Sequence, residues 1–150
     1  MSAAYLVALR MLARRELSEA QVRQRLARRQ HPPEDIDAAV SRLRAEGSLD
    51  DGRTAGAIAR HETAVRRRGR RRVIRQIQAA GITPDLARQA ADEVFADLDA
   101  DALLASALDS RLRGRSVADE REHRRLYRYL VGQGFEPDRV LAALAARRAR

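Results

Sequence analysis

The stretch Ala80-Gly81-Ile82-Thr83-Pro84-Asp85 decides how the rest of the chain is read. An Arg-bearing helical segment runs into it and an apolar helical segment leaves it. Gly81 suits a left-handed helix C-cap with Ile82 reaching back, and Thr83-Pro84 suits the first turn of a new helix. The same punctuation stands at Gln30-His31-Pro32-Pro33-Glu34-Asp35 and at Gln133-Gly134-Phe135-Glu136-Pro137-Asp138. The three lie roughly 50 residues apart, a period that signals one structural unit used several times. The flanking apolar positions keep the same register. Val22 and Leu26 match Val73 and Ile77, then Leu126 and Leu130. Beyond the turn, Ile36, Val40 and Leu43 match Ala87, Ala91 and Val94. The third series is Val140, Leu144 and then Arg147, where the pattern runs out as a terminal repeat should.

All of the periodicity is helical, and no convincing alternating strand is present. The expected fold is all-α: three tandem three-helix repeats at residues 1–49, 50–98 and 99–150. Ser18 with Gln21 forms a capping-box pattern. Asp50 and Asp51 suit the helix N-terminus that opens the second repeat. Gln30 occupies the position of the capping glycine in the first repeat. A left-handed non-glycine residue costs roughly 1 kcal/mol, so that turn is expected to be built differently, through Pro32-Pro33.

The formal net charge is +9, from 30 basic and 21 acidic residues, and every basic residue is Arg. Base composition of the gene explains Arg in place of Lys but not the excess of positive charge. Such an excess opposes compaction and attracts polyanions, nucleic acid foremost. The chain has five aromatic residues, Tyr5, Phe95, Tyr127, Tyr129 and Phe135, too few for a base-stacking platform. Contacts to nucleic acid should therefore go mainly to phosphates.

Segment 66–75 is the densest charge run: Arg-Arg-Arg-Gly-Arg-Arg-Arg-Val-Ile-Arg. Val73, Ile74, Ile77 and Ala80 share one side of its helix, and Arg71, Arg72 and Arg75 share the other. The break at Gly69 should bring Arg66, Arg67 and Arg68 to the same corner. Arg121, Arg124, Arg125 and Arg128 repeat the arrangement opposite Leu126 and Leu130. Between them, the stretch 85–109 is acidic and is expected to form a back or junction. The candidate contacts are Arg67, Arg68, Arg70, Arg71, Arg72 and Arg75, with Arg124, Arg125 and Arg128 as a second patch. About five neutralised phosphates would give a log–log salt slope near −4 to −5 on duplex DNA. Replacing Arg71, Arg72 and Arg75 by Ala is expected to weaken binding and to leave helicity alone.

Catalytic chemistry has no foothold in the sequence. There is no Cys, so neither a disulfide nor a thiolate metal site can form. His31, His61 and His123 stand in unlike contexts without metal-ligand spacing. No phosphate-cradling glycine loop and no nucleophile elbow is present. A non-enzyme without cofactor or metal is expected. No apolar run approaches the roughly 20 residues of a membrane span, and the first residues do not resemble a secretory signal. A cytoplasmic monomer is the expectation.

Three segments together resemble the RecX regulators of the RecA recombinase. They are Gly47-Ser48-Leu49-Asp50-Asp51-Gly52-Arg53-Thr54-Ala55, the basic stretch ending Arg75-Gln76-Ile77-Gln78-Ala79-Ala80-Gly81-Ile82, and Tyr129-Leu130-Val131-Gly132-Gln133-Gly134-Phe135. The resemblance spans nearly the whole chain in order and spacing. The chain departs from it at Ser48 and near Thr54, where the family often has aromatics, and at Gly132-Gln133, where it commonly has basic residues. The resemblance implies an elongated, curved array of three three-helix units. It implies binding along the groove of the RecA–DNA filament, to RecA and to single- and double-stranded DNA. Inhibition of strand exchange, ATP hydrolysis and co-protease activity would follow, in DNA repair and the SOS response. A helix-turn-helix transcription factor, built on helix pairs such as 18–30 with 33–46, is the alternative reading.

Overall fold

A computed structural model describes residues 2–148, and its architecture is the all-α one expected. Nine helices are present among those residues: α1 (Ala3–Arg14), α2 (Glu19–Arg28), α3 (Pro33–Ala45), α4 (Asp51–Ala64), α5 (Arg70–Ala79), α6 (Pro84–Ala96), α7 (Ala100–Leu112), α8 (Glu120–Gly132) and α9 (Pro137–Ala145). An isolated parallel bridge pairs Val117 with Arg148. Compactness cuts across the helix order. One compact unit comprises Met1–Ile58 with Gln76–Ala90, and the other Ala59–Arg75 with Ala91–Arg150. Helices α4, α5 and α6 each give part of their length to both.

The register read from sequence is the register of the cores except at Val94, which is half-buried. Val22, Leu26, Val73, Ile77, Leu126 and Leu130 are all buried, as are Ile36, Val40, Leu43, Ala87, Ala91, Val140 and Leu144. In the first unit, α1, α2 and α3 pack pairwise around Tyr5, Ala8, Leu17, Leu26, Val40 and Leu43. In the second, α7, α8 and α9 enclose Leu104, Leu108, Leu112, Leu130, Phe135 and Leu144. Each fully buried Leu or Ile contributes about 1.5–3 kcal/mol.

The turns behave as punctuation. The Ser18–Gln21 capping box is closed in both directions, at 3.0 and 3.1 Å. Gly81 and Gly134 take φ of +82° and +101°. Gln30 corrects the expectation for the first turn: it adopts φ +64° itself, and His31 N–H donates to Leu26 O at 3.2 Å. Phe135 N–H makes the same bond to Leu130 O at 3.3 Å. The hydrogen-bonded closure is therefore kept without glycine, and Pro32 serves as N-cap of α3 instead of replacing the turn.

The segment Leu49 to Thr54 locks the first unit. Leu49 is buried, and the Asp50 carboxylate accepts from Arg53 N–H at 3.0 Å, capping α4. Asp51 does something the sequence did not suggest. Its carboxylate accepts from Glu19 N–H at 2.8 Å, so it caps α2 and not its own helix. Arg53 donates to the carbonyls of Gly47 and Ser48 at the end of α3 and to Glu16. The Thr54 hydroxyl is buried within 3.0–3.3 Å of Glu16 Oε2, Leu17 O and Asp50 O.

Ionisable contacts in this unit set its response to pH. Burial alone would raise the Glu19 carboxyl, but hydrogen bonds from Arg44 and Arg23 outweigh it and hold the group below its ordinary value of 4.5. The Tyr5 hydroxyl and Arg42 hold Glu46 below 4.5 as well. The same Glu46 bond, with burial, raises Tyr5 above 10.0. Both glutamates ionise more readily when folded, so their stabilisation is present above the unfolded value and is lost as pH falls through the folded one. Tyr5 holds its proton more tightly when folded, so its contribution is lost as pH rises through its folded value. The thermal midpoint should therefore decline below the glutamate range and again above the tyrosine range. Glu46→Gln should flatten both limbs. A pH profile unchanged by that substitution would show that the Tyr5–Glu46 pair is energetically silent.

Candidate nucleic-acid interface

All nine candidate arginines fall in the second compact unit, within Ala59–Arg75 and Ala91–Arg150. The unit contains a helix-end junction that organises them. Gly69, which precedes α5, donates its N–H to Gln133 O at 2.8 Å, and Arg71 N–H donates to Gly134 O at 3.2 Å. The N-terminal end of one helix thus meets the C-terminal end of another, which satisfies orphan backbone groups and opposes the ends of two helix dipoles favourably. The first unit has an equivalent junction. There the Ser18 hydroxyl donates to Ala80 O, at positions that match Gly69 and Gln133 in the repeat. The repeat therefore extends to which carbonyl meets which donor.

The arginines around this junction divide by partner. Arg72 Nη1 and Arg75 Nη2 both donate to Gly132 O, at 3.3 and 3.2 Å, placing two cations at the negative end of α8. Arg71 pairs with Glu136 at 2.8 Å and Arg70 with Asp92 at 2.5 Å, all four side chains being exposed. Such pairs are worth about 0–1 kcal/mol and yield readily to a competing anion. Arg68 differs from the solvent-facing cation expected: its side chain is 12% exposed and pairs with the buried Glu62 at 2.8 Å. Its main-chain N–H also bonds Glu62 O, so it fastens the corner between α4 and α5. Arg67 projects to solvent with a left-handed backbone (φ +52°), a conformation costing a non-glycine residue roughly 1 kcal/mol.

On α8, Arg124 and Arg128 are exposed and have no carboxylate partner among the described residues. Arg125 lies 3.7 Å from Glu122, with 70% of its side chain exposed. Arg128 is one helical turn before Gly132, so the second patch leads toward the carbonyl that Arg72 and Arg75 share. The sequence reading left out Arg115, which lies in the break before α8. Together with Asp119, Arg121, Glu122, Arg125 and Arg128 it lines a cleft of about 460 Å³. Both carboxylates there are engaged with backbone at the start of α8: Asp119 accepts from Glu122 N–H at 2.8 Å and Glu122 from Ala118 N–H at 3.0 Å. The guanidinium forks are left with donors to spare, and such forks match phosphate oxygens.

The expected acidic back takes another form. In the second unit Asp92, Asp101 and Asp109 pair with Arg70, Arg139 and Arg147, so acid from that stretch is spread out as arginine partners. Two aromatic faces are occupied as well. Arg42 covers Tyr5 at 4.1 Å and Arg111 covers Tyr129 at 3.8 Å. Among the described residues no group of three His, Cys, Asp or Glu is placed to hold a metal ion. No described helix is long and apolar enough to cross a membrane.

Comparison with known proteins gives one consistent answer. A family model described as "RecX, first three-helix domain" matches residues 4–43. Regulatory protein RecX of Halorhodospira halophila is 38% identical over 141 residues, covering 93% of this chain and 84% of its own. Regulatory protein RecX of Chromohalobacter salexigens is 34% identical over 140 residues, covering 92% and 88%. A crystal structure of RecX from Lactobacillus salivarius superposes with a TM-score of 0.74 at 18% identity, covering 95% of this chain and 93% of that one. A second RecX crystal structure gives 0.77 at 20% identity, covering 95% and 70%. At those identities the structural likeness establishes the fold.

Proposed function

The chain belongs to the RecX family of regulatory proteins, and from that premise we propose that it is a negative regulator of the RecA recombinase. It binds along the RecA–DNA filament and inhibits strand exchange, ATP hydrolysis and co-protease activity, as a cytoplasmic monomer without a catalytic step or cofactor of its own. The observation that carries this reading is the concentration of all nine candidate arginines in one compact unit, several without a carboxylate partner among the described residues. Regulation by binding needs a surface of that kind and no catalytic pocket. The covered rings of Tyr5 and Tyr129 favour phosphates over stacked bases as the nucleic-acid contact.

The test is RecA's DNA-dependent ATP hydrolysis with this protein titrated to one molecule per RecA subunit. Turnover should fall several-fold. Unchanged turnover across that range rejects the proposal. Co-sedimentation with RecA filaments, set against naked DNA at the same salt, then assigns the attraction to the filament or to DNA alone.

A further inference from the structure

The corner between α4 and α5 breaks three rules of good folding within four residues. Val65 is 66% exposed, the most exposed large hydrophobic side chain among the described residues. Arg67 holds a left-handed backbone without being glycine. Arg68 Nε is buried with no hydrogen-bond partner. Each of these works against folding, and departures that cluster in this way mark functional positions. The corner is nonetheless firmly held. Arg68 and the buried Glu62 pin its base through a side-chain ion pair and a main-chain hydrogen bond. Gly69 is clamped beyond it by Gln133. The three residues at the tip, Val65, Arg66 and Arg67, all face solvent, and neither arginine has a carboxylate partner among the described residues.

We propose that Val65, Arg66 and Arg67 form a rigid tip that engages a nucleic-acid strand, the two guanidinium groups on phosphates and the Val65 side chain against sugar and base. It rests on the reading that the basic unit meets nucleic acid, and adds an apolar contact to it. Charge favours this partner. Two adjacent uncompensated cations around an exposed apolar group suit a ligand that alternates anionic and apolar surface at short range, as a nucleic-acid strand does. Apolar side chains flanked by arginines are used this way at base steps. The rings of Tyr5 and Tyr129 are covered by arginines and are not free for the role.

The experiment measures anisotropy of a labelled single strand and of its duplex, with the full chain, across about 50 to 200 mM salt. Val65→Ser should weaken binding to at least one of the two by about five- to tenfold and leave the salt slope unchanged, because no charge is lost. The paired change Arg66→Ala with Arg67→Ala should flatten the slope by about 1.4 to 1.8, the equivalent of two phosphates. Arg67→Gly should raise the thermal midpoint by a few degrees while weakening binding, since it relieves the left-handed strain and removes a charge. Leu141→Ser, at another exposed hydrophobic residue, is the control and should bind as wild type does.

Val65→Ser binding both probes within twofold of wild type overturns the proposal. So does an equal loss in Leu141→Ser. A Val65→Ser effect confined to RecA, with DNA affinity intact, assigns the tip to a protein partner and likewise overturns it. Failure of the wild-type protein to bind either probe overturns the broader nucleic-acid reading along with the tip.

Discussion

Replacing Gly134 by Ala should lower the thermal midpoint by on the order of 10 °C, the largest single-site effect expected outside the cores. A Cβ on Gly134 would overlap Arg72 N, stand 2.5 Å from Arg72 Cβ and stand 2.7 Å from Gly69 O. Its φ of +101° lies outside what an L side chain adopts comfortably. Backbone strain of this kind costs about 1–3 kcal/mol and overpacking a similar amount, so about 3–5 kcal/mol together is expected. Nothing nearby can yield cheaply, because the atoms in the way are mostly backbone. Gly69 faces the same contact from the other side, where a Cβ would stand 2.6 Å from Gly134 C and O. Two other glycines supply the contrast. Gly132 is helical with open space around it, so Gly132→Ala should stabilise slightly. Gly114 has φ +83° but also open space, so Gly114→Ala should cost only its backbone strain, about 1–2 kcal/mol. Calorimetry of the three variants checks the order. A Gly134→Ala protein that melts with Gly132→Ala would mean that the junction at the end of α8 does not hold the second unit together.

That junction shows where the sequence was legible and where it was not. Triplication was legible because it is written in local signals: a capping glycine, a proline in the first turn, and apolar residues in a fixed register before and after. Gly134 was recognisable as a helix stop for the same reason. Its second duty, accepting the Arg71 N–H beside the bond from Gly69 N–H to Gln133 O, depends on partners far away in the sequence. Asp51 makes the same point. Its place before a helix suggested a cap, and it is a cap, but for α2 across 32 residues. Charge was legible as a density and not as a set of partners. The run from Arg66 to Arg75 reads as uniform, yet Glu62 takes Arg68 inward, Gly132 O draws Arg72 and Arg75, and Arg67 is left in solvent. Pairing depends on which helix ends meet, and a one-dimensional charge pattern does not carry that.

The division by partner makes the two arginine patches behave differently when removed, and this is the second large effect expected. Replacing Arg124, Arg125 and Arg128 together by Ala removes side chains that hold nothing in the fold except a long contact from Arg125 to Glu122. Leu126 and Leu130 remain buried on the opposite face, so helicity and thermal midpoint should be preserved. If each arginine meets one phosphate, the salt slope on duplex DNA should flatten by about 2.7, at about 0.9 per phosphate. Affinity should fall roughly a hundredfold, at about 1 kcal/mol per lost contact. Replacing Arg71, Arg72 and Arg75 should weaken binding as well but should not be silent in stability. It strips Gly132 O of both side-chain donors and leaves Glu136 without its cation. Those contacts are exposed and individually weak, so a loss of about 1–2 kcal/mol is expected, a few degrees in the melt. Binding isotherms across salt, paired with melts of both triple variants, separate the cases. Equal melting of the two variants would reduce Arg72 and Arg75 to plain surface cations. An unchanged slope in the α8 variant would remove that helix from the interface and leave phosphate recognition to the arginines at the start of α5.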